Sequence, residues 1–247
     1  TKSSGDLRAR AGGMASVGGA GIGLGEGQDQ LFYVGLNLPD GHRVPMRVRP
    51  VVGLIPLGAV EVLDAETLVR FPEFMKRARW MIVHRPDLAT LVSRYDQPGK
   101  GDHFLLALLR GHRMKALLSR MLDETEFLSD HGVRALSRYH LAHPYVLEHG
   151  GQSFSVGYVP GDSNSKCFGG NSNWRGPVWF PVNYIVIGGL RRFARFFGDD
   201  FTVEYPTGSG TELTLGLVVD RLGQRLIDIF VPDGDGPTLM NHRGLTP

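Results

Sequence analysis

The run from Val182 to Phe197 constrains the fold most. Val182, Ile185, Val186, Gly189, Phe193, Phe196 and Phe197 recur with a helical period, with Pro181 at the first helical position and Gly198 at the stop. The pattern predicts a helix. It is apolar nearly all round until Arg191, so its first half must be buried. A chain of 247 residues with 42% hydrophobic content can build a core large enough to receive it, most simply as one domain.

Other elements follow from the same reading. Leu31 to Val34 and Val44, Met46, Val48 alternate around Pro39-Asp40-Gly41, which predicts a hairpin over 31–49. Val52, Ile55, Ala59, Val60 and Leu63 carry a helical period interrupted by Pro56, which implies a kink or a helix starting there. Asp64 is placed to cap the next short turn. Pro72 opens a stripe through Met75, Ala78 and Ile82, and Met114, Leu117, Leu118, Met121 and Leu122 form another. The last helix is expected to open with the capping box Ser209-x-x-Glu212 and to bury Leu215, Val218, Val219, Leu222, Leu226 and Ile229. Residues 125–180 read as one long irregular region broken by the alternating Phe154, Val156 and Tyr158, and loops of that length in a compact domain are usually functional. Residues 1–30 read as a flexible Gly-rich leader, and 31–247 as the structured part.

Charge and cysteine content exclude several classes. The 27 basic residues stand against 25 acidic ones and are scattered, which is too even for a nucleic-acid footprint. Cys167 is the single cysteine, so an intrachain disulfide is impossible and a reducing, cytoplasmic setting is expected. No apolar run has the length of a membrane span, and a membrane partner is not expected. No cofactor is indicated. His140-x-x-His143 has helical ligand spacing, but Pro144 follows and no third ligand is near, which argues against zinc. Gly208-Ser209-Gly210-Thr211 could receive an anion at a helix start, though without a phosphate-loop pattern capping is the better reading.

Running into the apolar helix lies Phe168-Gly169-Gly170-Asn171-Ser172-Asn173-Trp174-Arg175-Gly176-Pro177-Val178-Trp179-Phe180-Pro181-Val182-Asn183-Tyr184, which concentrates two of the three tryptophans with an arginine and three Asn residues among glycines and prolines. Sugars need that mixture. The apolar face of a pyranose packs on an aromatic ring, while its hydroxyls need convergent amide, guanidinium and backbone partners.

At Trp174-Arg175-Gly176-Pro177-Val178-Trp179 the chain resembles glycoside hydrolase family 63, in its bacterial mannosylglycerate-hydrolase-like branch. The likeness extends in order through Val52 to Leu57, Glu61 to Leu63, His84 to Leu88, Met121 to Glu124, Leu136 to His140 and Tyr205 to Gly210, so that it covers about residues 31–232. It implies a mainly α fold, part of an (α/α)6 toroid of six-hairpin glycosidase type with short β-hairpins in its loops. It also implies inverting hydrolysis of an α-glycosidic bond in a small oligosaccharide or glycoside. In such chemistry one carboxyl protonates the leaving oxygen and a second activates water, about 6.5 to 9.5 Å away. The resemblance places the family's acid Asp before the part represented here and its base Glu beyond Pro247, so this chain is expected to be a fragment lacking both.

The substrate-binding candidates are Asn173, Trp174, Arg175, Gly176, Trp179, Arg138, Tyr139 and Asp162. Many family members carry Tyr where Asn173 stands. Trp174 and Trp179 are expected to line a pocket, although core packing is the ordinary fate of tryptophan. Arg175 fits a hydroxyl clamp and a structural ion pair equally. Asp162, after Pro160-Gly161, can overhang a pocket, whereas Asp199-Asp200 read as surface turn residues and Glu61 and Glu204 as ion-pair members. Two other functions stay open: a carbohydrate-binding chain without catalysis, and a helical structural or interaction protein whose aromatics are only core.

Overall fold

The computed structural model describes residues 31–38, 41–84, 98–109, 111–160 and 178–232. Strands β1 (Val34–Asn37) and β2 (Arg43–Met46) pair as the expected hairpin, Val34 opposite Met46 and Asn37 opposite Arg43. A buried 3-10 helix (Val51–Gly58) leads into β3 (Val60–Asp64), which pairs with β4 (His103–Ala107). Helices α1 (Ala65–Arg70) and α2 (Pro72–His84) lie between those two strands in sequence. Helix α3 (Gly111–Met121) precedes two more hairpins, β5 (Leu128–Ser129) with β6 (Gly132–Val133) and β7 (Tyr145–His149) with β8 (Gln152–Val156). Helix α4 (Phe180–Phe197), the pair β9 (Thr202–Glu204) and β10 (Glu212–Thr214), and α5 (Leu215–Ile227) complete the order.

Helix α4 is the centre of the packing. Val182, Val186, Leu190 and Phe193 recur on one face of it and are fully or almost fully buried, together with Val218, Val219 and Leu222 of α5 and Leu54 and Leu57 of the 3-10 helix. Each such side chain contributes on the order of 1.5–3 kcal/mol by leaving water. The 3-10 helix crosses α4 at backbone contact. A Cβ added at Gly189 would fall 2.2 Å from the Leu57 carbonyl oxygen, and one at Gly58 would fall 2.4 Å from Ile185 Cγ2. Only glycine permits that crossing. The helix ends where Gly198 takes φ of 63°, as its sequence position predicts.

The expected mainly α, toroid-type architecture is overturned. Among the described residues, ten strands form five separate two-stranded antiparallel sheets, interleaved with five α-helices. The physical reason is clearest at residues 52–63. Their apolar spacing spans two elements, a 3-10 helix that tolerates Pro56 and then a strand whose Val60 and Val62 are buried while Glu61 faces out. A two-residue alternation of that length is easily absorbed into a helical period when its partner strand lies some forty residues away. The described part of the irregular region likewise holds strands β5 to β8. The capping box also fails: Glu212 begins β10, and Thr214 caps α5 by accepting the Leu217 N–H at 3.4 Å. Asp64 stands at the N-cap of α1 but makes no side-chain cap. Its Oδ1 instead accepts from Arg195 and lies 3.0 Å from His103 Nε2.

Candidate functional site

The stretch from Asp123 to His143 holds the described residues with chemical character. Asp123 fixes its entry by accepting the N–H and hydroxyl of Thr125, both at 2.7 Å, and its carbonyl takes the Leu128 N–H at 2.9 Å. After the β5–β6 hairpin the chain runs beside residues 49–51, with Val51 N–H donating to Ala135 O and Ser137 N–H to Arg49 O. Ser137 then caps a 3-10 turn (Arg138–Leu141), its hydroxyl oxygen accepting the Tyr139 N–H at 3.2 Å.

Beneath that turn lies a buried ion cluster. Glu126 Oε1 accepts from Arg49 Nη1 at 2.8 Å and from Arg120 Nη1, while Oε2 accepts the Ser137 hydroxyl at 3.0 Å. The Glu126 and Arg49 side chains are 4% and 7% exposed, so neither charge can fall back on water. A carboxylate 4% exposed, with three donors already on its oxygens, presents no open edge to a substrate. Glu126 is therefore a structural anchor, and acid or base work is beyond its geometry.

His140 is buried and fully engaged. The Arg49 N–H donates to its Nε2 at 2.9 Å, so Nδ1 carries the proton and donates to His143 O at 2.8 Å. Burial foremost, with the Arg49 charge adding, holds its pKa below the usual histidine value, against the opposing bond to His143. The ring is neutral. Both nitrogens are spoken for inside the fold, which removes His140 from metal ligation, and among the described residues no group of three or more His, Cys, Asp or Glu is placed to hold a metal ion.

Tyr139 stands over this cluster. The Arg49 guanidinium lies 3.7 Å from its ring centroid, and the His143 ring stacks at 4.3 Å and 12°. Two groups that close must lie on opposite faces, so both faces of the ring are occupied. The residue is nevertheless 36% exposed, and its hydroxyl has no hydrogen bond among the described residues. Beside it Arg138 is exposed. Its backbone N–H donates to Glu126 O at 2.9 Å, and its guanidinium has no partner among the described residues.

Of the other predicted site residues, Trp179 sits at the N-cap of α4, half-buried against the main core, and its carbonyl accepts both the backbone N–H and the Nδ2 of Asn183. Asn183 is buried and ties α4 to β6 by accepting the Val133 N–H at 2.8 Å and donating to Val133 O at 2.9 Å. Asn173, Trp174, Arg175, Gly176 and Asp162 lie outside the described residues, as does the leader. The described chain on either side of 161–177 is nevertheless pinned to the same stretch: Tyr158 N–H donates to His140 O, and Val178 bridges Arg134. Arg138 and Tyr139 thus lie between the two anchor points of the tryptophan-rich segment.

Glu61 and Glu204 divide. Glu61 lies 3.4 Å from Arg192, as an ion pair, whereas Glu204 accepts backbone N–H groups of the 208–210 turn, which hold its carboxyl below the usual range. Asp199 is exposed and pairs with Lys100. Sequence reasoning missed Arg49 and Glu126, and named Asn183 only as one amide of its segment. Their hydrogen-bond partners are 91, 77 and 50 residues away in sequence, out of reach of any local signal.

No family model matches the chain. It is 42% identical over 215 residues to the uncharacterized protein YMR196W of Saccharomyces cerevisiae, an alignment that takes in 87% of this chain and 20% of the yeast protein. The chain thus spans about a fifth of the length of that relative.

Proposed function

We propose that this chain binds a carbohydrate and supplies substrate contacts, without the proton-transfer pair, to a glycosidase-type site of the family 63 kind, acting on an α-linked oligosaccharide or glycoside in the cytoplasm. The observation that supports it is the pairing of Arg138 and Tyr139: a guanidinium with no partner among the described residues, next in sequence to a phenol whose ring is held between Arg49 and His143, between the anchors of a segment rich in Trp, Asn and Gly. A rigid donor set loses little entropy on meeting a hydroxylated ligand, which is how weakly hydrophobic sites gain specificity. The one buried carboxylate among the described residues is engaged by three donors inside the fold, which favours binding over catalysis for this polypeptide.

The test is ligand-observed NMR on the full chain with a panel of α-linked disaccharides, beside an assay for released reducing sugar. Saturation transfer to at least one glycoside with no turnover is expected. Tyr139→Phe keeps the sandwiched ring and removes only the hydroxyl, so affinity should fall by about 0.5–1.5 kcal/mol, the net worth of one hydrogen bond. A folded chain that binds none of the panel overturns the reading, and hydrolysis with inversion by the chain alone overturns its non-catalytic part.

A further inference from the structure

Helices α1 and α2 form an arm. Among the described residues α2 packs chiefly on α1, and α1 in turn on β3. No residue of α1 is buried, and Ala78 is the one buried residue among the described side chains of α2. Apolar side chains are left in the open: Val69 is 80% exposed, Phe71 59%, Trp80 59% and Val83 74%. Phe74, Met75 and Met81 lie with Ala78 on the inward side of α2 and are half-buried. Lys76, Trp80 and Val83, at i, i+4 and i+7, share its outward face. Arg79 flanks that stripe on one side and Arg77 on the other.

Charge singles out the same arm. Residues 65–84 hold four cations, Arg70, Lys76, Arg77 and Arg79, against two carboxylates, Glu66 and Glu73, so the arm alone accounts for the chain's formal net charge of +2. Arg70 is paired with Glu66. Lys76, Arg77 and Arg79 are exposed, with no ion-pair partner among the described residues. The Trp80 ring is steadied by stacking on His84 at 4.4 Å, which leaves its other side open.

We propose that the arm docks on an anionic lipid surface, with Trp80 and Val83 at the boundary of headgroups and acyl chains and Lys76, Arg77 and Arg79 against the headgroup phosphates. An apolar centre flanked by long cationic stems matches an interface whose apolar depth is flanked by negative charge, and tryptophan favours that boundary. A convex helix face fits a plane, whereas an acidic protein would need a groove cut to receive Trp80. The contact is peripheral, since no helix among the described residues is long and apolar enough to cross a membrane.

Vesicle flotation of the full chain decides the matter, using phosphatidylcholine alone and phosphatidylcholine mixed with phosphatidylserine. Flotation with the mixed vesicles only, weakened by salt, is expected, with a roughly fivefold loss of affinity for each of Lys76, Arg77 and Arg79 changed to Ala. Brominated lipid should quench tryptophan emission in the parent chain and lose most of that quenching in Trp80→Phe, a readout independent of whether the charge variants fold. A folded chain that ignores anionic vesicles overturns the proposal. So does flotation unaffected by the triple substitution, and so does equal competition by soluble polyglutamate, which would assign the arm to an acidic protein.

Discussion

The 126–143 stretch and the 65–84 arm use the same residue types to opposite ends. Under the Arg138–Leu141 turn, Arg49 is buried against Glu126, with Arg120 on the same carboxylate oxygen, and a tyrosine and a histidine complete the packing. On the arm, Lys76, Arg77 and Arg79 stand in solvent beside a tryptophan and a histidine, without ion pairs among the described residues. Burial decides the difference. A cation out of water must have its partner built in, and once built in, that partner is unavailable to a ligand. Cations kept in water contribute little to the fold and remain free to meet something else. Function should therefore be sought above the buried cluster, at Arg138 and Tyr139, and along the arm.

The comparison breaks most easily at Glu126. Glu126→Gln keeps the shape and removes the charge that the buried Arg49 guanidinium meets at 2.8 Å. A loss of about 3–5 kcal/mol in urea unfolding is expected, as when one partner of a buried pair is deleted. A loss under about 1 kcal/mol would mean that the Arg49 charge is met by something other than Glu126 and that this pair does not set the cluster apart from the arm. Arg120 tests the gradation. Its side chain is 34% exposed against 7% for Arg49, though both meet the same oxygen. Arg120→Ala should therefore cost less, on the order of 1.5 kcal/mol after allowance for solvent screening.

Acid should separate the regions next. His140 is held neutral, its pKa depressed chiefly by burial. Below the unfolded value of about 6.5 the unfolded chain takes up a proton that the folded chain refuses, so stability falls as pH drops from there toward the folded pKa. The slope from this one group cannot exceed about 1.4 kcal/mol per pH unit. Denaturant midpoints measured between about pH 7 and pH 5 check this, above the range of ordinary carboxylates. His140→Gln, whose amide oxygen can still accept the Arg49 N–H, should flatten the slope. An unchanged slope would remove His140 as its source.

The contrast also explains what the sequence could and could not reveal. Helix α4 was legible to within two residues because its signals are local: an apolar period, a proline at one end and a glycine at the other. Local signals also gave α2 with its ends, and α3 and the first hairpin as elements, though the hairpin's first strand lies at Val34–Asn37 and not at Leu31 to Val34. Strand β3 was not, because a five-residue alternation is weak until β4 is known to lie beside it. The buried cluster was invisible for the same reason: nothing near Glu126 in sequence announces that Arg49 will cover it. Arg138 and Tyr139 were reached through resemblance alone, and only the structure shows the Tyr139 ring held between Arg49 and His143. The arm's exposed apolar residues went unread, since a stripe through Met75 and Ala78 predicts the helix but says nothing of how little the rest of the molecule covers it.

The smallest effect sharpens the comparison furthest. Lys76→Ala and Trp80→Ala remove a cation and an aromatic ring, the same kinds of group as Arg49 and Tyr139, from a surface with little packed against it. If exposure is what distinguishes the regions, each should change unfolding free energy by no more than about 0.5 kcal/mol, the usual range for surface positions. The stacked contact of Trp80 with His84 sets the upper end, because a pair already in water gains little from meeting. Urea midpoints for the two variants, with unchanged m-values, would show side chains held for a contact outside the described fold. A loss above about 2 kcal/mol for Trp80→Ala would instead show the ring buried against part of the chain outside the described residues. The arm would then belong with the buried cluster, and its apolar residues would need no lipid to explain them.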